Sequence, residues 1–456
     1  MHAMRRALLL LLLLTRAAPQ TCAAGYFCPL NSAPRPCACA AACPDAPRNV
    51  TVDNSFSGIG YLWTVSTIAG TGAWASPSVN GIGTVATFNN PSSMGIDLRG
   101  GPNKSFVVLD YAAHVVRPVT WPAMEVSLLV GGDLTTGAFA DGTNPSAVRF
   151  NQLRQGALAP DTIFYVADGG NNRLRRVWPN GTTNTFAGNG TAGSSDGPQL
   201  LNATFKGPVG LALDVNNITG EYTFYVADTG NNAIRRIKGG AVTTLAGNPA
   251  LPGLYADGVG SAARFFTPYS IALSADGALL FVADRANNRV RVVETATGSV
   301  RTIAGNGTAG FLSGLLNGPT GMSFHASGAL VVAEISAHRI RLVSSITGQT
   351  LLVGGAFTGA TGYADSATGD GSKFNTCAAV SHESGTVHMQ CRMRGGGRYC
   401  GPSVTYLGSG SASGHWRYRI RRRNDHLRNF FESKRHDHHA ARNCGDGISK
   451  VHRAHD

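Results

Sequence analysis

The sequence predicts an all-β chain whose main domain is a six-bladed β-propeller of four-stranded blades, the last blade degenerate. The segment Phe224–Ile237 (FYVADTGNNAIRRI) has counterparts that begin at residues 106, 164, 280 and 330. Its acidic residue recurs after 58, 60, 56 and 50 residues, as Asp110, Asp168, Asp228, Asp284 and Glu334. Repetition at this period is typical of propellers and solenoids. The 58 glycines and the low charged fraction of 14% favour short strands and tight turns.

Four short strands fill each period, and the third repeat shows them most clearly. Strand a is Gly210–Leu213, strand b is Phe224–Asp228, strand c is Ala233–Ile237 and strand d is Val242–Gly247. Each is an aliphatic, β-branched or aromatic run, and turn-forming Gly, Asn or Asp residues separate the runs. Four-stranded antiparallel units of this length are the blades of a propeller.

The number of strands predicts how the ring closes. The propeller region, residues 64–391, contains six d-type strands but only five complete a–b–c sets. The first d strand, Val65–Gly70, has no set before it, so we expect it to complete the last blade. That blade's strand b is Thr386–Cys391, and Cys391 stands where the other blades carry an acid. This irregularity makes the sixth blade degenerate.

Residues 1–20 predict a secretory signal peptide. A basic start (MHAMRR) precedes an apolar run and then a segment of small residues. An uncleaved membrane anchor is the alternative, but the apolar run is far shorter than the roughly 20 residues that span a bilayer. No later stretch predicts a transmembrane helix, so we expect a secreted, extracellular protein. We also expect the protein to be monomeric.

A cysteine-rich module and a Pro/Ala stalk are predicted for residues 21–48. Clustered cysteines in an exported chain indicate a disulfide-linked module, with one thiol of an odd set free or paired elsewhere. Zinc binding is the alternative, which the spacing disfavours because it lacks two CxxC-like pairs. The segment Cys22–Pro29 (CAAGYFCP) resembles the start of ephrin-receptor-like cysteine-rich repeats. The disulfide candidates are Cys22, Cys28, Cys37, Cys39 and Cys43.

Residues 392–456 predict a basic, disordered tail. The segment contains 14 Lys and Arg against 5 Asp and Glu, so it carries 14 − 5 = +9 of the chain's net charge of +13. Within it, Tyr418–Arg423 (YRIRRR) is a candidate for a degraded strand c. The repeat region is only mildly basic, and nucleic acid is therefore not expected as a partner.

The repeated units resemble NHL repeats. The segments at residues 164, 224 and 280 follow the pattern [LFY]-[YF]-V-A-D-x-x-N-N-x-[IL]-R-R-[IV] almost residue for residue, and the resemblance extends from Thr64 to about Cys391. It implies a six-bladed propeller that acts as a binding platform for protein and, in some intracellular members, RNA. Two units depart from the pattern, with Ala113-His114 and Ala337-His338 in place of the Asn pair.

The repeated acids and amides predict a structural role in the blade turns. A carboxylate before the b–c turn can accept N–H bonds and pair with strand-c arginines such as Arg235 and Arg291. Asn tolerates the left-handed backbone of such turns. A ligand or metal role is the alternative, which the spread of copies around a ring disfavours. The turn-stabilising candidates are the five acids together with Asn172, Asn232 and Asn288.

The b–c turns and the d–a loops should emerge on the same face of the propeller, because strands b and d run in the same direction. That face carries the least regular sequence, so we expect it to bind a protein or glycan partner. Arg173, Arg289 and Arg339 begin strand c near it and are candidate partner-binding residues. A solvated or ion-paired role within the blade is the alternative for each of them.

The leading hypothesis is a non-catalytic, exported scaffold without a cofactor. The alternative is a secreted metal-dependent propeller enzyme of the lyase or lactonase kind. No catalytic, cofactor-binding or metal-binding residue is assigned, because the histidines before the tail do not share a register that would form a zinc site. Seven sequons are candidates for glycosylation: Asn49, Asn103, Asn180, Asn189, Asn202, Asn217 and Asn306.

Overall fold

The computed structural model describes residues 65–67, 69–70, 78–97, 105–120, 122–132, 137–216, 218–324, 329–355, 375–383, 386–392 and 402–405. The predicted signal peptide, the five clustered cysteines, Asn49, Asn103, Asn217 and residues 406–456 lie outside these residues, and the interpretations of them stay predictions. Within the described residues the helices are single 3-10 turns, and none is long and apolar enough to cross a membrane.

The five complete repeats form five antiparallel sheets, which we number as blades 1 to 5. Blade 1 contains β2 (Gly81–Ile82), β3 (Pro91–Asp97), β4 (Ser105–Asp110), β5 (Val115–Thr120) and β6 (Glu125–Val126). Blade 2 contains β7 (Leu153–Leu158), β8 (Phe164–Asp168), β9 (Arg173–Val177) and β10 (Thr183–Ala187). Blade 3 contains β11 (Gly210–Val215), β12 (Tyr222–Asp228), β13 (Ala233–Lys238) and β14 (Ala241–Ala246).

Blades 4 and 5 follow the same plan. Blade 4 contains β15 (Gly258–Val259), β16 (Pro268–Leu273), β17 (Leu279–Asp284), β18 (Arg289–Glu294) and β19 (Ser299–Ala304). Blade 5 contains β20 (Pro319–Phe324), β21 (Ala329–Glu334), β22 (Arg339–Ser344) and β23 (Thr350–Gly354). In every blade the repeated strands a, b, c and d pair in that order, and β2 and β15 are short additions beside strand d. The prediction of four-stranded antiparallel blades is confirmed.

A further sheet joins the two ends of the described chain, and we call it the terminal sheet. Its order is β1 (Val65–Thr67), β26 (Pro402–Thr405), β25 (Thr386–Arg392) and β24 (Asn375–Glu383). Val65 lies opposite Val404 in the antiparallel register of β1 and β26. The strand beside β25 is thus Pro402–Thr405, which lies inside the segment that the sequence assigns to a disordered tail.

The core lies between neighbouring blades, because strand b is buried on both faces. All five residues of β8 and all six of β21 are buried, which explains their nearly continuous apolar sequence. Between blades 2 and 3, Phe224 packs against Tyr165 and Phe186 with ring centroids 4.6 and 4.9 Å apart. The hydrophobic core is therefore formed between adjacent blades.

The strands a of successive sheets lie side by side, which is the arrangement of a propeller. β3 neighbours β7, β7 neighbours β11, β11 neighbours β16, and β16 neighbours β20. In the terminal sheet, β24 neighbours both β20 and β3.

A left-handed residue in the b–c turns of blades 1 to 4 clamps each of these blades to the next one. Asn172, Asn232 and Asn288 have φ values of 53°, 53° and 50°. Their Oδ1 atoms accept backbone N–H groups that precede strand a of the following blade, at 2.9, 2.8 and 2.9 Å, from Gly207, Thr267 and Gly318. A single amide side chain thus fixes both its own turn and the position of the neighbouring sheet.

Histidine replaces asparagine in this clamp in blade 1. His114 has a φ of 59°, and its Nδ1 accepts the backbone N–H of Gln152 at 3.1 Å. Asn and His are among the residues that adopt left-handed backbone most readily. The Ala-His departure at residues 113–114 therefore keeps the backbone geometry and the link between blades.

We expect His114→Asn to leave the free energy of unfolding nearly unchanged, because Asn supplies the same kind of acceptor in three other blades. His114→Ala should lower it by about 1–2 kcal/mol, since the partly buried N–H of Gln152 loses its acceptor. His114→Gly relieves the backbone strain and leaves the acceptor missing, which separates the two effects. Urea denaturation measures all three variants, and equal stability of the Ala and Asn variants would contradict the clamp.

Candidate functional site

We call the surface formed by the b–c turns and the d–a loops the loop face. The carboxylate at the end of each strand b is buried beneath this surface and anchors its turns and loops. These five carboxylates are fully buried. Each accepts a backbone N–H from the end of the d–a loop of its own blade at 2.8 Å, donated by Asn89, Asn151, Lys206, Phe266 and Asn317. The acids therefore hold the loops as well as the turns.

A buried arginine of strand c connects this carboxylate to the outer part of the loop. In blade 3, Arg235 Nη1 lies 2.8 Å from Asp228 Oδ2, and its Nη2 lies 2.7 Å from Oδ1 of Asp196 in the Asp-Gly loop. The same guanidinium also donates to the carbonyl oxygens of Thr204 and Ser195. Blades 2 and 4 repeat the arrangement with Arg175 and Arg291.

Blades 1 and 5 carry variants of the same network. In blade 1, Arg117 pairs with Asp110 at 3.5 Å, and Asn80 replaces the loop acid. In blade 5, Arg339 Nε and Arg341 Nε both donate to Glu334 Oε2. The side chain of Arg339 is only 1% exposed. Its prediction as a partner-binding residue is therefore wrong, because the Glu334 carboxylate draws it into the blade.

Burial is the largest influence on the pKa values of Asp168, Asp228 and Asp284. It raises the pKa of Asp168 and of Asp228 to about 6, and it also raises the pKa of Asp284; the paired arginines and the amide donors oppose the shift. Burial likewise lowers the pKa of Arg341. The hydrogen bonds to Asp168 are all donated by its partners Asn151, Asn171 and Arg175. This donor environment suits an ionised carboxylate that holds structure.

Arginine–aromatic stacks lie above this frame on blades 2, 4 and 5. The guanidinium carbon of Arg173 lies 4.0 Å from the ring centroid of Phe139, and that of Arg289 lies 3.8 Å from Tyr255. In blade 5 the distance from Arg339 to Phe311 is 5.2 Å. The three rings are 41–43% exposed. Arg173 and Arg289 are both half-buried, and their guanidinium groups stack on rings of the loop face. Their role as partner-binding residues stays a prediction.

The two members of a stack occur together or are absent together. Blade 3 has Ala233 at the arginine position, and Ser194 at the ring position. Blade 1 has Val115 and Ser78 at the corresponding positions. These positions are equivalent because the residue that follows the ring position makes the same contact in blades 1 to 4. Its backbone carbonyl accepts from Nη2 of the buried strand-c arginine, at Val79, Ala140, Ser195 and Ala256. The stack is therefore a coupled feature that only some blades possess.

The loop face also gathers exposed apolar side chains. The large exposed apolar side chains in the d–a loops include Leu201, Leu251, Leu254, Phe266 and Leu312. Exposed apolar groups with interspersed arginine and aromatic residues mark interaction surfaces. Sequence reasoning identified the face and two of its arginines but missed the rings. The available signal was an aromatic residue two positions before the loop Asp, as in Phe139-Ala140-Asp141 and Tyr255-Ala256-Asp257.

Four of the predicted sequons lie at exposed positions. Asn189 and Asn306 lie beside the stacks, since their carbonyl oxygens accept from Arg173 Nη2 at 2.6 Å and from Arg289 Nη2 at 2.5 Å. Asn180 lies in the c–d turn on the opposite face, and Asn202 lies in a d–a loop.

In the described parts of the chain, no three His, Cys, Asp or Glu residues are grouped as metal ligands.

Comparisons with known proteins point to the same repeat. No protein-family profile matches the sequence. The chain is similar to NHL repeat-containing protein 2 of Bos taurus, with 28% identity over 300 residues, covering 58% of this chain and 40% of that protein. It is also similar to protein SUPPRESSOR OF QUENCHING 1, chloroplastic, of Arabidopsis thaliana, with 24% identity over 284 residues, covering 58% of this chain and 26% of that protein. The chain thus spans less than half the length of these curated relatives.

Solved structures share the fold at low sequence identity. One is a structural genomics protein of unknown function from Bacteroides thetaiotaomicron, with a TM-score of 0.53 and 15% identity, covering 75% of this chain and 76% of that one. Another is an auxiliary nutrient binding protein from Bacteroides ovatus, with a TM-score of 0.53 and 13% identity, covering 75% and 77%. The relatives and these structures confirm similarity to NHL repeat-containing proteins and a β-propeller fold.

We expect Arg235→Met to lower the free energy of unfolding by about 3–5 kcal/mol, because it leaves the Asp228 carboxylate buried without its cation. Arg236→Met is the matched control, since Arg236 is the neighbouring half-buried arginine on the other side of the same strand and makes no ion pair among the described residues. Its effect should stay below about 1 kcal/mol. Equal effects of the two substitutions in guanidinium denaturation would refute the structural role of the buried pair.

Proposed function

We propose that this protein is an exported, non-catalytic scaffold whose loop face binds a protein or glycan partner. The observation that carries the proposal is the set of partly exposed aromatic rings on blades 2, 4 and 5, each packed against an arginine that is half-buried in blades 2 and 4 and buried in blade 5. Partly exposed rings on a rigid support supply apolar contact area at a small cost in conformational entropy. Arginine and tyrosine are also enriched among the residues that dominate binding energy.

The geometry favours a protein over a glycan. One side of each stacked ring is covered by a guanidinium group at 3.8–4.0 Å in blades 2 and 4, so only the remaining surface is available to a sugar. The exposed leucines Leu254 and Leu312 are the sequence neighbours of the stacked rings Tyr255 and Phe311. A mixed apolar and cationic surface suits a protein partner that presents apolar groups beside carboxylates.

A second part of the proposal is that the terminal sheet completes a six-bladed ring. Two facts support it: β1 pairs with β26, and β24 neighbours both β20 and β3. Such closure protects strand edges that an open sheet would expose. The ring would then hold the loop face as one continuous platform.

Closure is tested by cross-linking strands β1 and β26 of the terminal sheet. Ser66 lies opposite Ser403 in the register of β1 and β26, so we expect Ser66→Cys combined with Ser403→Cys to form a disulfide under mild oxidation. Mass spectrometry of peptides without reduction identifies the link. Ser66→Cys combined with Thr405→Cys is the off-register control. Linking in neither pair, or equally in both, would argue against a closed sixth blade.

Partner binding is tested by capture from the exported fraction of the source cells. We expect the triple variant Phe139→Ala, Tyr255→Ala, Phe311→Ala to retain less than about one tenth of the captured partner, since each lost anchor costs roughly 1–2 kcal/mol. Ile218→Ala is the matched control, because Ile218 is 96% exposed in the a–b turn on the opposite face. Thermal melts confirm that both variants fold. Undiminished capture by the triple variant would refute the loop face as the binding surface.

The same preparation tests export and glycosylation. A chain expressed from residue 1 in glycosylating cells should appear in the medium. Removal of N-glycans should reduce its mass, with Asn180, Asn189, Asn202 and Asn306 among the occupied positions. Retention of an unmodified chain inside the cell would refute this part of the proposal.

A further inference from the structure

Four polar side chains from three blades converge where the strands a meet on the loop face. Arg154 of blade 2 donates from Nη1 to the hydroxyl of Tyr269 at 3.0 Å and from Nη2 to the hydroxyl of Tyr111 at 3.4 Å. Its guanidinium carbon also lies 4.3 Å from the ring centroid of Tyr111. Arg285 of blade 4 lies 5.3 Å from the ring centroid of Tyr269. All four side chains are half-buried, and we call them the central cup.

Among the described residues, the arginines of the central cup have no ion-pair partner. In the described part of the chain, ion pairs join the strand-c arginines to carboxylates, and none involves Arg154 or Arg285. The acids that precede Tyr111 and Arg285 are Asp110 and Asp284, and both pair with other arginines. Two cations therefore lie on either side of Tyr269 without a paired carboxylate from the described part of the chain.

The next residues along strand a form a floor beneath the central cup. Gln155 Nε2 donates to the carbonyl of Ile271 at 3.3 Å, and its Oε1 accepts from the hydroxyl of Ser270 at 3.2 Å. Ser270 also accepts the backbone N–H of Met322 at 3.1 Å. These hydrogen bonds link blades 2, 4 and 5 one residue further along strand a than Arg154 and Tyr269.

Glycine at residue 169 gives Arg154 the room to cross toward Tyr269. Residue 169 follows Asp168 as Tyr111 follows Asp110 and Arg285 follows Asp284. A Cβ atom on Gly169 would lie 3.2 Å from Cγ of Arg154 and 3.0 Å from the carbonyl oxygen of Pro208. The side-chain composition of the cup thus depends on a small residue in blade 2 and larger residues in blades 1 and 4.

We propose that the central cup binds the anionic group of a small ligand, a carboxylate or a phosphate or sulfate. Arg154 and Arg285 supply guanidinium donors, which match the paired oxygens of either group. The hydroxyls of Tyr111 and Tyr269 accept from Arg154, so their own protons are available to an anion. The cup uses none of the residues of the arginine–aromatic stacks. Its failure would leave the partner-binding proposal intact, and the reverse also holds.

The test is calorimetric titration of the full chain with citrate, inorganic phosphate and sulfate at constant ionic strength in chloride. We expect saturable binding at one site by at least one of these probes. Preference for citrate identifies a carboxylate ligand, and preference for phosphate or sulfate identifies the tetrahedral anions. Equal, non-saturating heats with all three probes would overturn the proposal.

Substitutions locate the site. Arg154→Gln and Arg285→Gln should each weaken binding of the preferred probe at least tenfold. Arg236→Gln makes the same charge change outside the cup and should leave binding unchanged. If Arg154→Gln fails to fold, Tyr269→Phe keeps the ring beside Arg285, removes one hydroxyl and should weaken binding severalfold. Equal loss with Arg236→Gln, or no loss with the cup variants, would show that the anion binds elsewhere.

Discussion

The pairing of a buried carboxylate with a strand-c guanidinium is the constraint on which the rest of the structure depends. Arg235 ties the end of strand b to the loop carbonyls and to Asp196, 39 residues earlier in the chain. A buried charge that loses its partner is costly, so the pairing of Asp228 with Arg235 resists loss. The d–a loop is thus anchored to the blade through a buried guanidinium, although the loop acid Asp196 itself is 50% exposed.

The blades tolerate substitutions that preserve the function of each position. His114 replaces Asn as the acceptor between blades 1 and 2. In blade 5 the longer side chain of Glu334 accepts from two arginines, while Phe311 and Leu312 contribute only carbonyl oxygens to Arg341. Different side chains and backbone carbonyls thus supply hydrogen-bond partners at the same positions of the blade.

Local spacing made much of the frame predictable from the sequence. Asp228 and Arg235 are seven residues apart, and a short b–c turn places Asp228 opposite Ala233, two positions from Arg235 on the adjacent strand, so that the two side chains meet diagonally. The link from Asp196 to Arg235 had no local signal, because it depends on how the d–a loop folds back over the blade. Arg339 was misplaced because the reach of Glu334 decides its direction. Strand β26 was missed because Pro402–Thr405 is short and lacks the repeat pattern of strand c.

Rotational repetition alone cannot produce the central cup. Residues at one repeat position lie at one distance from the centre, so identical blades would present identical side chains there. Arg154 instead stands where blades 1, 3 and 5 carry Ser92, Val209 and Thr320, and its partner Tyr269 is 115 residues away along the chain. The shorter side chains at these equivalent positions leave space for the side chain of Arg154 to extend from blade 2 to Tyr269 of blade 4. The repeated positions therefore maintain the fold, and the positions that break the repeat are the ones able to create a directional site.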